Sequence, residues 1–264
     1  MNEKILSPRP MKSSLVPFEL GRVLSRTFSS LAYNLKHILL LIIIFCGLSF
    51  IITSITAPFG NRVDEFSGGT LAAIIITGFI LFILPIIIIS AFTDILSYRK
   101  FIGRKVNFTD ALKQSLGATI PLTIICIIYF LSVQIGGILI VPGIIAALGW
   151  AVAGPIYLHE NTTLFGSFGR SWELTHGYKL MIWVTKIIIA LILAVTIFGL
   201  ILLASAIATL FPGVTSSSNI GVVQGLFQSL LFSVLIYGFF SFYAAYTSAL
   251  YTELIELKEG ALPS

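Results

Sequence analysis

Five long blocks with almost no charge determine what this chain can fold into. They cover residues 38–59, 70–93, 118–158, 180–211 and 220–251. A transmembrane helix needs about 20 mostly apolar residues to cross a hydrocarbon core about 30 Å thick. The third block is long enough to cross twice, and Val141-Pro142-Gly143 lies near its middle. The sequence therefore predicts an all-α integral membrane protein with six transmembrane helices.

Composition supports a single membrane domain. Hydrophobic residues make up 57% of the chain and charged residues 10%, against about 25% charged residues in soluble proteins. The segments between the blocks are too short to bury a core of their own. We predict a cytoplasmic N-terminal tail with an amphipathic helix over 1–37, a six-helix membrane domain over 38–251 and a cytoplasmic C-terminal tail over 252–264. The predicted spans are about 38–58, 70–93, 118–140, 143–159, 180–210 and 220–251.

The basic residues predict the orientation of these spans. Every Lys and Arg except Arg62 precedes span 1, lies between spans 2 and 3, lies around the start of span 5, or follows span 6. Because cytoplasmic loops carry the excess of Lys and Arg, both termini are predicted in the cytoplasm, which requires an even number of spans. The basic residues are scattered over four segments and form no aromatic-rich basic surface, so we expect no nucleic-acid partner.

An amphipathic segment precedes each odd-numbered span. Over residues 20–35, apolar residues recur at helical spacing with Arg and Ser between them. Ahead of span 5, Leu164, Phe168 and Trp172 stand four residues apart. Such helices lie in the headgroup plane with the apolar face toward the hydrocarbon. We therefore predict three membrane hairpins, each preceded by an amphipathic interfacial helix, with ordinary juxtamembrane linkers as the alternative.

Small residues predict where the spans pack closely, because helices in lipid associate through small side chains. Two rows at steps of four stand out, one in span 4 and one in span 6. They contain Gly143 and Ala147, and Gly221, Gly225, Ser229 and Ser233. The partner of these rows is either another span of the same chain or a second copy.

Few groups inside the predicted spans can carry chemistry. Lys186 is the deepest charge, one or two turns into span 5, and we expect its side chain to reach back to the headgroups; a functional charge is the alternative. The candidates for a polar intramembrane path are Gln134, Gln224 and Gln228. Hydrogen bonding between helices is the alternative for these residues.

The remaining titratable groups are expected near the cytoplasmic surface. Asp94 and Glu160 end spans 2 and 4, where Arg99 or Arg170 can pair with them. The histidines are expected as surface residues rather than metal ligands; they are His37, His159 and His176. No motif for a metal, a nucleotide or another cofactor is present, and no catalytic constellation stands out. We therefore expect no enzymatic activity, no metal and no cofactor.

Residues 139–179 carry a recognisable pattern. Pro142-Gly143 is followed by Pro155, by Glu160 and then by Arg170-Ser171-Trp172-Glu173-Leu174-Thr175. The pattern resembles a group of bacterial six-span inner-membrane proteins related to the membrane domain of glycerophosphoryl diester phosphodiesterases. The resemblance implies the fold and a place in the bacterial cytoplasmic (inner) membrane. It implies no activity, because stand-alone members have none assigned and the phosphodiesterase reaction belongs to a separate soluble domain.

Several residues are expected at the level of the lipid headgroups. Trp172 suits this boundary, and Arg170 can bind an anionic lipid phosphate. Docking of the segment onto the bundle is the alternative, and we favour it. The candidate lipid-headgroup or interface contacts are Arg26, Arg170, Trp172, Glu173 and Lys186.

The sequence thus favours a non-enzymatic integral inner-membrane protein that acts as a scaffold or as a lipid-organising or assembly module. The alternative is a transporter or permease component for a lipid or small hydrophobic solute. Membrane lipids are the expected partners, and a homo-oligomer or another membrane protein remains an open alternative.

Overall fold

The computed structural model describes residues 18–60, 68–105, 107–210 and 220–260, with side chains over 18–51, 83–105, 107–199, 202 and 230–260. The described residues form eight α-helices and no strand, which confirms the predicted all-α class. The helices are α1 (Leu20–Gly60), α2 (Gly68–Phe101), α3 (Phe108–Gly137), α4 (Val141–Gly149), α5 (Ala153–His159), α6 (Leu164–Thr175), α7 (Lys179–Leu210) and α8 (Ile220–Glu259).

Five helical stretches are long and apolar enough to cross a membrane. Within the part of the chain that the structure describes, these are Leu20–Ile51, Phe108–Gly137, Val141–His159, Lys179–Gly199 and Leu230–Glu259. They fit a multi-pass membrane protein. Helix α2 has 34 residues, but the side chains of its first half lie outside the described part.

Helix α1 differs from the predicted arrangement of an interfacial helix followed by a span. It runs unbroken for 41 residues, because residues 22–46 contain neither Gly nor Pro. Val23, Thr27, Ser30 and Asn34 of its first half are fully buried. One face of this half therefore packs against the protein, and the half continues without a break into the rest of α1.

Helix α8 also extends past its predicted end. It continues through the segment that was predicted as a C-terminal tail and ends only at Glu259. Residues 252–255 are fully buried. Leu254 and Ile255 join the apolar core, while two arginines of α1 neutralise the charge of Glu253.

The start of α1 and the end of α8 lie at the same end of the molecule. Arg22 and Arg26 contact Glu253 at 3.1 and 3.3 Å. The end of α2 reaches the same region, where the Ser30 hydroxyl donates a hydrogen bond to the Ser97 hydroxyl at 2.7 Å. We call this region the shared end.

Buried apolar clusters hold the other helices at the shared end. One joins the start of α1 and the end of α2 to the α4–α5 region, to α6, to α7 and to α8. A second cluster packs α2 against α1, α3 and α8. A third packs α2 against α3, α5 and α6. Helices that begin here alternate with helices that end here, so consecutive long helices run antiparallel.

The predicted fourth span is divided into α4 and α5. A tight turn at Ile140, with φ of 54°, leads from α3 into α4. Position 143, beside this turn, requires glycine, because a Cβ on this residue would lie 2.6 Å from the Gly137 amide nitrogen. The helix is interrupted again over residues 150–152, before α5 begins at Ala153. We call this second interruption the span-4 break.

Candidate functional site

Helix α6 covers the span-4 break and satisfies its backbone. The helix begins at Leu164. The residue before it, Thr163, is the N-cap, and its hydroxyl accepts a hydrogen bond from the Gly166 amide at 3.1 Å. Ser171 and Thr175 donate hydrogen bonds to the Gly149 carbonyl at 2.9 and 3.2 Å. An unsatisfied carbonyl is costly in a bilayer. The Ser and Thr of the Arg-Ser-Trp-Glu-Leu-Thr segment therefore dock α6 onto the interrupted span.

The opposite side of the break is closed by Lys186 and Tyr129. The Lys186 ammonium donates a hydrogen bond to the Ala147 carbonyl at 2.7 Å, and the Tyr129 hydroxyl donates one to the same carbonyl at 3.2 Å. The side chain of Lys186 thus turns into the protein, whereas the sequence predicted that it reaches back to the headgroups. The free carbonyls at the end of α4 explain this direction, since a cation is favoured at a helix C-terminus.

Trp172 lies between the break and the surface. Its ring packs so closely on Gly149 that a Cβ there would lie 2.2 Å from Trp172 Cε3. The Lys179 ammonium lies 3.6 Å from the centre of the same ring, in a cation–π contact. Glu173, in contrast, has a side chain that is 74% exposed.

A cavity of about 190 Å³ lies where α2, α3, α5 and α8 meet the span-4 break. We call it the central cavity. Most of its wall is apolar, and its polar groups are few and lie on different helices. The polar groups come from Ser90, Asp94, Cys126, Tyr129, Trp150, Tyr243 and Thr247. An apolar cavity with a few convergent polar groups is the usual form of a small-molecule site.

Asp94 lies in the wall of the central cavity and contacts a buried histidine. Its Oδ1 lies 3.4 Å from Nε2 of His159, and each of the two side chains is 5% exposed. The ring of Tyr98 stacks on the imidazole with centroids 3.9 Å apart. The predicted surface position of His159 is therefore wrong, because this stacking and Asp94 provide it with a site inside the protein.

Glu160, the residue after this histidine, belongs to a second group of charges. It accepts a hydrogen bond from the Tyr251 hydroxyl at 3.0 Å and one from Arg170 Nε at 3.0 Å. Arg170 also contacts Glu259, at the end of α8. Burial opposes the charged form of this guanidinium, but Glu259 and Glu160 outweigh that effect, so the pKa of Arg170 lies above its usual value. Arg170 is thus paired within the protein and not aimed at a lipid phosphate.

Arg26 is paired within the protein in the same way. It contacts Glu256 at 2.7 Å and Glu253 at 3.3 Å. Arg99, which was predicted to pair with Asp94 or Glu160, instead donates a hydrogen bond to Gln114 at 3.0 Å. The expected pairing of Glu160 with Arg170 is observed.

The side chains that the structure describes cover only one member of the predicted polar path, Gln134. Gln134 is exposed on α3 and lies outside the wall of the central cavity. The side chains of Gln224, Gln228 and Ser229 and the surroundings of Gly221 and Gly225 lie outside the part of the chain that the structure describes. Ser233 is buried and Ala147 is half-buried.

Sequence reasoning missed the Asp94–His159 pair and the buried position of Glu253. One sequence signal was available for the Asp94–His159 pair. Asp94 follows a long apolar run, and Ser97 and Tyr98 continue the same helical pattern. Among the described residues, no group of three His, Cys, Asp or Glu side chains is arranged to hold a metal ion.

Comparisons of this chain with protein-family models, with curated proteins and with solved structures found no match.

Proposed function

We propose that this chain is a six-span integral protein of the bacterial cytoplasmic membrane that binds the apolar part of a lipid or a small hydrophobic molecule. In this proposal it acts as a non-enzymatic scaffold or lipid-organising module. The observation that carries the proposal is the central cavity, with its apolar wall and a buried Asp–His pair at its edge.

The proposed topology rests on the shared end. Five described stretches are apolar enough to cross a membrane, and α2 supplies the sixth span in the proposal. The first turns of α1 and the last turns of α8 are joined by ion pairs, which supports placing both termini on the same side of the membrane. The distribution of Lys and Arg makes that side the cytoplasm in the proposal. The resemblance noted at residues 139–179 agrees with this arrangement, and the bacterial inner-membrane location rests on it.

The wall of the central cavity indicates the kind of ligand. Ile87, Leu122 and Ile125 line the cavity with hydrocarbon. Binding of an apolar group there is favourable, because the group leaves water or fills the space. Asp94 and the tyrosine hydroxyls occupy only part of the wall. A molecule with an apolar body and one hydrogen-bonding group therefore fits this cavity better than a strongly polar solute.

Filling the cavity tests the proposal. A Cβ added at Gly154 meets only Leu122 Cδ2, at 4.0 Å, so a Gly154→Leu side chain is expected to occupy the cavity without a backbone clash. Native mass spectrometry of the protein extracted in mild detergent should detect retained lipid or another hydrophobic molecule in the wild type. The Gly154→Leu variant should retain about tenfold less.

The matched control is Gly117→Leu, since Gly117 is exposed on α3 and a Cβ there meets nothing within 4 Å. This variant should retain the ligand as the wild type does. Equal retention by the wild type and Gly154→Leu, or no retained molecule in any of the three proteins, would contradict the proposal.

A transporter or permease component is the second candidate function. One observation favours it: the span-4 break lies beside the central cavity, and interrupted helices form the substrate sites of many transporters. The break has its Gly149 and Ala147 carbonyls occupied by side chains, so we place binding first. Movement of a labelled lipid in proteoliposomes, above empty vesicles and lost in Gly154→Leu, would establish transport.

A further inference from the structure

A second pocket, of about 400 Å³, lies between α7 and α8. One stripe of α7 forms its long wall, with residues at helical spacing, and aromatic residues of α8 form the other. The α7 residues are Lys186, Ile189, Ala190, Leu193, Ala194 and Ile197, and the α8 residues are Phe239, Tyr243 and Tyr246. The stripe is roughly 16 Å long at 1.5 Å per residue. The pocket is therefore elongated and apolar, with a cation at one end.

The cation at this end has no anionic partner. The Lys186 ammonium donates to the Ala147 carbonyl at 2.7 Å and lies 3.5 Å from the Tyr129 hydroxyl. None of the ion pairs among the described residues includes it. An ammonium group has three donors, so one remains for a ligand. A charge inside a membrane protein is normally paired, and here the described residues do not supply the anion.

Tyr246 provides a second donor in the wall of the same pocket. Its side chain is fully buried, and its hydroxyl has no hydrogen-bond partner among the described residues. A buried hydroxyl without a partner costs free energy, which a bound acceptor would recover. An ammonium and a hydroxyl together favour a ligand group with several acceptor oxygens and a negative charge.

The depth of Lys186 distinguishes between anionic groups. Lys186 lies two turns beyond Lys179, which is about 10 Å along α7. Lys179 contacts Trp172, and Trp is typical of the headgroup boundary. A phosphodiester with a polar headgroup belongs at that boundary, whereas the small carboxylate of a single acyl chain can lie deeper.

We propose that the α7–α8 pocket binds a long-chain fatty acid as its carboxylate. The carboxylate accepts hydrogen bonds from Lys186 and Tyr246, and the acyl chain lies along Ile189, Leu193 and Ile197. The two ligand-binding groups, Lys186 and Tyr246, lie outside the wall of the central cavity, although Tyr243 lines both pockets. The proposal does not depend on the function proposed for that cavity.

The test uses the full chain in phosphatidylcholine nanodiscs and oleate labelled with ¹³C at the carboxyl carbon. The wild type should show a saturable carboxyl resonance that is absent from empty nanodiscs. Lys186→Met should weaken binding about tenfold or more, because it removes a charge-assisted hydrogen bond. Lys186→Arg should retain most of the binding, and Tyr246→Phe should weaken it about threefold.

Two control variants distinguish binding in this pocket from binding at the surface or in the central cavity. Lys179→Met, which removes a cation at the surface, should leave oleate binding unchanged. Gly154→Leu, which fills the central cavity, should also leave it unchanged, so the two proposals can fail independently. Methyl oleate, which lacks the charge, should not compete with oleate.

Several results would overturn the proposal. These are the absence of a saturable resonance, wild-type binding by Lys186→Met, or equal competition by methyl oleate. Preferential binding of phosphatidylglycerol over oleate would overturn the assignment to a fatty acid. Lys186→Met also loses the contact with Ala147 and can fail to fold for that reason. In that case Tyr246→Phe decides: if the folded variant binds oleate as tightly as the wild type does, the proposed site is wrong.

Discussion

At the scale of single residues, Arg22, Arg26 and Arg170 pair with carboxylates at the shared end. Glu253 is fully buried, and it contacts Arg22 and Arg26 at 3.1 and 3.3 Å. A buried carboxylate that keeps its charge needs cations close to it. The two arginines of α1 thus allow the end of α8 to enter the core, and the arginine expected to contact lipid has a structural role.

Removing both cations should expose this dependence. Arg26→Met leaves Glu253 with Arg22, so a small loss of stability is expected. Arg22→Met combined with Arg26→Met leaves the carboxylate buried and unpaired, which should cost about 3–5 kcal/mol. Unfolding in mixed detergent micelles, followed by circular dichroism, measures both changes.

Arg99→Met is the matched control, because Arg99 makes an exposed hydrogen bond to Gln114. It should change the free energy of unfolding by less than about 0.5 kcal/mol. A double variant no less stable than this control would show that Glu253 does not depend on the two arginines.

At the scale of elements, the span-4 break and α6 form one unit. Helix α4 ends with carbonyls that have no partner in their own helix, and Ser171, Thr175 and Lys186 supply the donors. Trp172 then packs directly on Gly149. Helix α6 is therefore better described as the cover of an interrupted span than as a helix that only contacts lipid.

A methyl group at the contact should disturb this unit. In Gly149→Ala the new Cβ would lie 2.2 Å from Trp172 Cε3, so α6 must shift or the ring must turn away. Overpacking of this kind costs about 1–3 kcal/mol. The loss should appear as a lower free energy of unfolding, together with a change in tryptophan fluorescence.

Gly154→Ala is the control, because its Cβ meets only Leu122 Cδ2, at 4.0 Å. The cost of Gly149→Ala should also shrink when Trp172 is first replaced by Leu, since neighbouring residues are not additive. Equal costs in both backgrounds would contradict the packing that we describe.

At the scale of the whole molecule, the residues whose side chains the structure describes are most densely buried near the shared end. Away from it, large apolar side chains are exposed, among them Ile138, Leu139, Leu191, Val195 and Phe198. An apolar surface of this kind is unusual for a soluble monomer. Lipid is its natural solvent in the proposed membrane arrangement.

Reporter fusions test the arrangement of the termini. Green fluorescent protein, which folds in the cytoplasm, should fluoresce when fused at either end. Alkaline phosphatase, which needs an oxidising compartment, should be inactive at both ends and active within residues 61–67 or 212–219. Opposite compartments for the two ends would contradict an even number of spans.

Much of the architecture follows from the sequence by itself. Apolar length determines which segments are helices suited to a bilayer, because an apolar segment of this length can satisfy its backbone hydrogen bonds within a single helix. The positions of Lys and Arg predict the orientation, and Pro142-Gly143 predicts the turn between spans 3 and 4. These features depend on local composition, so a single chain is enough to recognise them.

The candidate site was decided by the tertiary structure. Asp94 and His159 are 65 residues apart in the chain, and Arg26 and Glu256 are 230 apart. No periodicity relates such positions, because their contact depends on how separate helices cross. Whether Lys186 reaches the headgroups or turns inward likewise depends on the carbonyls that the break in span 4 leaves free. Local composition cannot reveal that break, since it is stabilised by side chains from α6 and α7.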